Sequence, residues 1–432
     1  MTAVPALLLL LAPTVARADG EPRTHTVKKG EAIHSIAKQY GCSVDEVFTA
    51  NQDRVSSPTK IFPGQVLTIP DDCTGKKTGK AKKAKGTARK EQYGRSRDCR
   101  WDAADVNSRT LKRKMKSKGF KAPPGFRALI VKTTLSRDRK RILKHELFDY
   151  GGESMSHRGW NPASTVKLFS GVSALERLKE LGFSPQARVT FHYDSGDKSF
   201  KVEDLYEKAV HLSKNIEHNR LVQLAGFDRV NGKRGTLKRA GLDFSYVMRA
   251  YEQSNWAKEG HPPSLAASPK ITVTEGKRKK VLKARKSKTK YPCHSAACTS
   301  LSDLSKMMCN LMLHEQLPQD QRLNLGSGRG QSKHLLFIRR KLNRKRSGKK
   351  DAVWDVLEKH FIPKDQRENP IKGGYQLFRK AGYSEEWLSE NMYIYLPHGR
   401  TRWIVSLAGH DGRTCLTQAA DIIAKLIKDG EL

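Results

Sequence analysis

A chain of 432 residues, 37% apolar and 29% charged, is long enough to bury more than one core. Its formal charge of +38 invites a nucleic-acid reading, but the distribution argues against one. Eight basic residues fall in 76–90, nine in 277–290 and eight in 339–350, with no acid and no aromatic residue among them. Such blocks read as solvated or disordered segments that offer bases nothing to stack on. Residues 1–18 carry a short apolar run, Ala6–Ala12, and a small-x-small site, Ala16-Arg17-Ala18, which reads as an export signal. The run is too short to span a bilayer. The expectation is an exported, periplasmic or extracellular protein that is not transmembrane. The basic charge would then serve either to attract anionic cell-envelope polymers or purely to keep the chain soluble, with no nucleic acid as partner. Of the seven cysteines, Cys42 and Cys73 are the expected pair. Cys293-His294-Ser295-Ala296-Ala297-Cys298 has no second ligand pair, so no metal and no cofactor are expected.

In chain order, residues 24–70 predict a strand ending at Gly30, then a helix with Ile33, Ile36 and Ala37 on one face. Gly41 stops that helix, and Ser43 starts a second one with Val44, Val47 and Phe48. Pro63-Gly64 turns into a closing strand, Val66–Ile69. Residues 74–122, Lys/Gly/Ala-rich and then polar, read as a basic linker. A second domain, 123–432, opens with strands at 128–134 and 142–148 around a charged turn. A helix follows from Ser164, with Val166, Leu168, Phe169, Val172, Leu175 and Leu178 at helical spacing. A short strand at 190–193 and helices at 202–212, 216–226 and 300–313 come next. Strands at 392–396 and 403–408 and a helix at 415–427 close the chain. Basic insertions lie near 270–292 and 339–351. Strands first, helices in the middle and strands last predict an α+β fold, with the terminal strands sharing one antiparallel sheet.

The βααβ pattern of 24–70, with its turn glycine, Asn51 and the closing Pro-Gly-Gln-x-Leu-x-Ile-Pro, resembles the LysM domain. The resemblance implies binding to N-acetylglucosamine polymers such as peptidoglycan. Contacts would come from Lys29, Gly30, Glu31 and Ala32 on one loop, and from Asn51 and Ile61 at the ends of the other.

Three signals mark the second domain. Trp160-Asn-Pro-Ala-Ser164-Thr-Val-Lys167 puts a serine in the first turn of a helix, beside unpaired N–H groups, with an amine three residues on. Ser213-Lys214-Asn215 opens the 216–226 helix, and Lys372-Gly373-Gly374 precedes the closing strands. In this order they resemble the S-x-x-K, S-x-N and K-T-G motifs of class A β-lactamases and penicillin-binding proteins. The resemblance implies an antiparallel sheet with helices on both faces and an all-helical lobe. It also implies a serine hydrolase acylated by β-lactams or D-Ala-D-Ala-type peptides. Ser164 would be the nucleophile and Lys167 its base; Ser213 would relay a proton and Lys372 would hold that hydroxyl. Asn215 would bind the substrate amide. Backbone donors at Ser164 and at Gly374–Tyr375 would hold the oxyanion, and Asn219 would be structural. Gly373 lacks the hydroxyl usual at its position. For a deacylating base, Glu252 is the nearest candidate, in a Glu-x-x-Asn one residue shorter than the family's pattern. The alternative is a catalytically degenerate wall-binding or adhesion protein.

Overall fold

The computed structural model describes residues 23–28, 30–42, 44–51, 55, 61–70, 73, 98–156, 160–248, 267–293, 296–326, 332–345, 352–367, 374–384, 387–410 and 413–432. The signal segment 1–18 and the basic run 76–90 lie outside them. The chain forms two compact units, 1–89 and 90–432.

In the first unit, strand Thr24–Thr26 pairs antiparallel with Val66–Thr68, and helices Ile33–Gln39 and Val44–Thr49 lie between them in sequence. Ile33, Ile36, Ala37, Val47, Phe48, Leu67 and Ile69 form its core. Asn51 ties the second helix to the closing strand. Its amide donates to Val47 O and Thr68 O at 2.7 Å each, and its Oδ1 accepts from Thr68 N at 2.6 Å. At 1% exposure the side chain is consumed by these bonds. Asn51 therefore offers a glycan no side-chain contact, which corrects its assignment as a binding residue. The pair Cys42–Cys73 is a disulfide. So small a core cannot bury three broken hydrogen bonds cheaply.

The second unit is built on a six-stranded sheet. In spatial order its strands are Gln376–Tyr383, Trp387–Tyr395, Thr401–His410, Arg127–Leu135, Ile142–Asp149 and the short parallel edge Val106–Asn107. The last strands in sequence thus close onto the first, Val405 opposite Ile130. Alternation along Arg127–Leu135 sends Ile130 to one core and Leu129 and Val131 to the other. On the first face pack helices Thr110–Ser117, Ala352–Phe361 and Arg413–Lys428, through Leu111, Trp354, Leu416 and Ile423. On the second face lie helix Leu301–Met312 and a helical lobe, in which helix Lys167–Glu180 packs on Asn215–Ala225. Beside the lobe stands a four-stranded antiparallel sheet, ordered Arg278–Leu282, Lys270–Glu275, Arg188–Tyr193 and Gly196–Lys201.

Three features depart from expectation. Residues 98–122 are not linker: Cys99 is joined to Cys309, and Trp101, 1% exposed, donates Nε1 to Ser302 Oγ at 3.0 Å. The 277–290 block is folded, because the Val- and Thr-bearing strand Lys270–Glu275 pairs with Arg278–Leu282. Within that block Arg285 donates to Gln223 O and Leu224 O at 2.9 and 3.0 Å, placing a cation on the negative end of helix Asn215–Ala225. Gly226 (φ 91°) makes the room, since a Cβ there would lie 2.7 Å from the guanidinium. Cys293 and Cys298 form a disulfide and not a metal clip. No helix among the described residues is long and apolar enough to cross a membrane.

Asn51→Ala leaves three buried backbone groups without their partner and should lower the stability of the first unit by about 2–4 kcal/mol. Denaturation followed in the full chain should show that transition moving while the second unit's stays in place.

Candidate active site

The serine turn is built before its helix begins. Trp160 Nε1 anchors it to Thr299 O at 3.0 Å. Pro162 O accepts from Thr165 Oγ1 at 2.5 Å and from Ser389 Oγ at 3.1 Å, tying the turn to the sheet. Ala163 is buried at φ 46°, a left-handed conformation unusual for a residue with a Cβ. Ser164, half-buried, then sits in the 3₁₀ turn Ala163–Val166 that feeds helix Lys167–Glu180.

Lys167 is 2% exposed, and its Nζ donates to Ser213 O and Asn215 Oδ1 at 2.5 Å each. Both partners are acceptors, so two of the Lys167 amine hydrogens are directed at the second motif. Using Oδ1 in this way leaves the Asn215 NH₂ to donate elsewhere. Ser213 is the second non-glycine residue here with a left-handed backbone (φ 64°), following a π-type turn at Glu207–His211. One helical turn below Lys167, Ser170 Oγ donates to Lys167 O and lies 2.7 Å from His218 Nδ1. With the Ser170 proton so placed, His218 donates from Nδ1. Burial, with the charges of Lys167 and Lys380 nearby, holds His218 well below the usual imidazole range, so it is a neutral packing group. Asn219, next to it, is buried in the same helix.

The third element differs from the sequence expectation. Lys372 and Gly373 lie outside the described residues. Gly374 and Tyr375 are at the start of strand Gln376–Tyr383, where the Tyr375 ring stacks edge-on to His398 and Gly374 lines a separate cavity with Phe378 and Arg402. From Tyr375 to Tyr383 is eight residues, about 27 Å along an extended strand. The amine that reaches Ser213 belongs to Lys380: its Nζ lies 3.2 Å from Ser213 Oγ and 2.6 Å from Ala381 O, and the side chain is 4% exposed. Two residues on, Gly382 runs against the serine turn. A Cβ on it would lie 2.6 Å from Pro162 O, 2.7 Å from Thr165 N and 2.8 Å from Ser164 N. The Lys-x-Gly that meets the serine turn is thus Lys380-Ala381-Gly382, and the residue that follows Gly382 is Tyr383, 69% exposed. This corrects Gly374 and Tyr375; the expectation for Lys372 lies outside the described residues. Strand residues spaced Lys-x-Gly, two strands before the closing helix, were the signal that could have found it. The middle position is again without a hydroxyl. Glu252 and its loop lie outside the described residues.

In the first unit, Lys29 lies outside the described residues, as do 52–54 and 56–60 of the second loop. Gly30 (φ 87°) makes the turn, and Glu31 Oε2 accepts from Lys28 N and lies 2.8 Å from His25 Nε2. Ala32 caps the first helix, and Ile61 is half-buried against the core. The LysM domain model matches residues 25–70. Residues 25–70 are a LysM domain. The chain is 45% identical over 51 residues to the potassium binding protein Kbp of Escherichia coli and 41% identical over 56 residues to a probable autolysin of Staphylococcus aureus. These matches cover 11% and 13% of this chain, and the chain spans 34% and 20% of the length of those two proteins. Beyond the LysM domain, structures that align with the chain include a class A β-lactamase from Bacteroides cellulosilyticus, with TM-score 0.44 and 12% identity, covering 74% of this chain and 99% of that one. Another is PBP-A, with TM-score 0.43 and 12% identity, covering 75% and 97%.

Gly382→Ala tests the seam between strand and serine turn. All three clashing atoms are backbone, so the strand must move away from Ser164. A misplacement of about 1 Å should slow penicillin acylation about 100-fold. Circular dichroism should show the fold retained.

Proposed function

We propose that the chain is an exported, peptidoglycan-anchored serine hydrolase of the β-lactamase and penicillin-binding-protein superfamily, acylated at Ser164 by β-lactams or D-Ala-D-Ala-type peptides. The observation that carries this is the convergence of Lys167, Ser213, Asn215 and Lys380 beside the serine turn. Lys167 takes the Ser164 proton as Oγ attacks the carbonyl carbon. Backbone N–H groups of Ser164 and Tyr383 receive the developing oxyanion. Asn215 donates its free N–H to the substrate amide. The Ser213 hydroxyl, held by the Lys380 ammonium, passes a proton to the leaving nitrogen as the C–N bond breaks, and Ser213 is reprotonated from the Lys167 side. Ala381 supplies no hydroxyl to the substrate carboxylate, a loss of about 1–3 kcal/mol of binding.

The LysM domain supplies the anchor. Its Gly30–Ala32 turn and the Ile61 end of the second loop are the glycan contacts we assign, with Lys29 alongside. Anchoring at high local concentration lets a weakly gripping site meet its substrate repeatedly.

Deacylation is the slow half. Glu252 stands in a pattern one residue short of the one that activates water in class A β-lactamases, so we assign a long-lived acyl-enzyme of the penicillin-binding type. Ala381 and this spacing also favour the second reading, a wall-binding protein with a degenerate site. Fluorescent penicillin separates the two: the folded wild type should label, and Ser164→Ala should not. The adduct should persist with little nitrocefin turnover, and Glu252→Gln should leave its lifetime unchanged. An unlabelled wild type would favour the degenerate reading; rapid turnover lost in Glu252→Gln would make the protein a β-lactamase.

A further inference from the structure

The four-stranded sheet beside the lobe takes no part in the acylation chemistry, yet its outer face is patterned. Thr274 pairs with both Lys279 and Arg188, and Arg188 pairs with Lys201. Lys279, Thr274, Arg188 and Lys201 therefore form one row across all four strands, spanning about 14 Å. The next row on that face is Val281, Thr272, Thr190 and Ser199, and the third is Lys270, His192 and Asp197. The intervening Ile271, Val273, Val189 and Phe191 point into the core. The face is a band of cations, a band of hydroxyls and a mixed row in which Lys270 stands beside the His192–Asp197 pair.

Lysines on an edge strand commonly prevent strand-to-strand aggregation, which accounts for Lys279 and Lys201. It does not account for Arg188 and Lys270, which lie on the two interior strands. The acids nearby are engaged: Asp197 lies 2.8 Å from His192 Nδ1, Glu203 lies 3.9 Å from Lys201 Nζ, and Glu275 binds Ser184 and Arg278. Arg188 reaches Ser199 Oγ at 3.5 Å, and Thr190 Oγ1 donates to Ser199 Oγ at 3.0 Å. Arg188, Lys270 and Lys279, which have no ion-pair partner among the described residues, stand in register with hydroxyls and suit a chain that alternates phosphate and polyol. The outward rows carry no ring other than His192, so bases have no stacking platform. Val281 is their one large apolar side chain, too little to wedge into a membrane.

We infer that this sheet face is a docking surface for a linear phosphodiester polymer of the cell envelope, with sugar or polyol units between the phosphates. The inference rests on export of the chain and is independent of Ser164 chemistry.

The test uses the full chain and purified poly(glycerol phosphate) free of peptidoglycan, with binding measured by calorimetry across a salt series. The triple variant Arg188→Gln, Lys270→Gln, Lys279→Gln should weaken binding about 10-fold or more and flatten the salt dependence, as fewer counterions are released. A control of equal charge change, Lys112→Gln, Lys116→Gln, Lys121→Gln, removes exposed lysines in and after helix Thr110–Ser117, on the opposite face of the six-stranded sheet, and should change affinity less than about twofold. Circular dichroism and thermal denaturation of both triples report that the fold is intact, so the test stands whether or not Ser164 is acylated. Equal weakening in both triples would overturn the inference, reducing the effect to net charge. So would duplex DNA binding as tightly at matched phosphate concentration and losing as much in the first triple, or no polymer binding at physiological salt.

Discussion

The site depends on one close approach: a strand without a side chain at Gly382 running under the carbonyl of Pro162 and the amide of Ser164. Sheet and helical lobe meet at this seam. Were a Cβ present, the strand would stand off, and Lys380 two residues earlier would retreat from Ser213 with it. From the sheet side, Ser389 on the neighbouring strand adds a hydrogen bond to the same carbonyl. The left-handed Ala163 and Ser213 lie on the two loops that face this seam, a local cost that a rigid surrounding core sustains. Ser164, Lys167, Ser213 and Lys380 are thus held in place by backbone packing around this seam.

The basic character of the chain divides into distinct physical roles. Arg285 is structural, since it neutralises carbonyls at the end of the helix that begins with Asn215 and so steadies the second motif from below. Arg278 likewise turns back to Glu275 and Gly182 O and takes no part in the outer rows. Arg188, Lys270 and Lys279 are exposed and have no ion-pair partner among the described residues. A single number for net charge hides this division, because a cation buried against carbonyls contributes little field while a cation in an exposed row contributes much.

Much of this was legible in the sequence, for reasons that differ by element. The serine helix and the Asn215 helix were readable because 3.6-residue periodicity and the Ser-x-x-Lys and Ser-x-Asn spacings are local. The LysM core was readable for the same reason. The contact of Lys380 with Ser213 was not, because Lys372-Gly373-Gly374 offers the same local chemistry and Lys380 is brought there only by the pairing of its strand with Trp387–Tyr395. Gln-Leu-Phe-Arg-Lys-Ala-Gly-Tyr does not alternate cleanly, so it hid as a strand. Residues 98–122 looked like linker because helix Thr110–Ser117 buries only Leu111 and Met115 among its lysines; the clue to its docking is Cys99, whose partner is 210 residues away. Asn51 shows the opposite error, a polar residue in a family pattern that serves the backbone and not the ligand.

The central claim is that Lys380, and not Lys372, completes the acylation site. The most direct measurement compares second-order rates of penicillin acylation for Lys380→Ala and Lys372→Ala in the full chain. The account predicts a loss of about 100-fold or more for Lys380→Ala, the scale of a removed proton-relay partner, and a change within about twofold for Lys372→Ala. The reverse pattern, with Lys380→Ala near wild type and Lys372→Ala crippled, would contradict it.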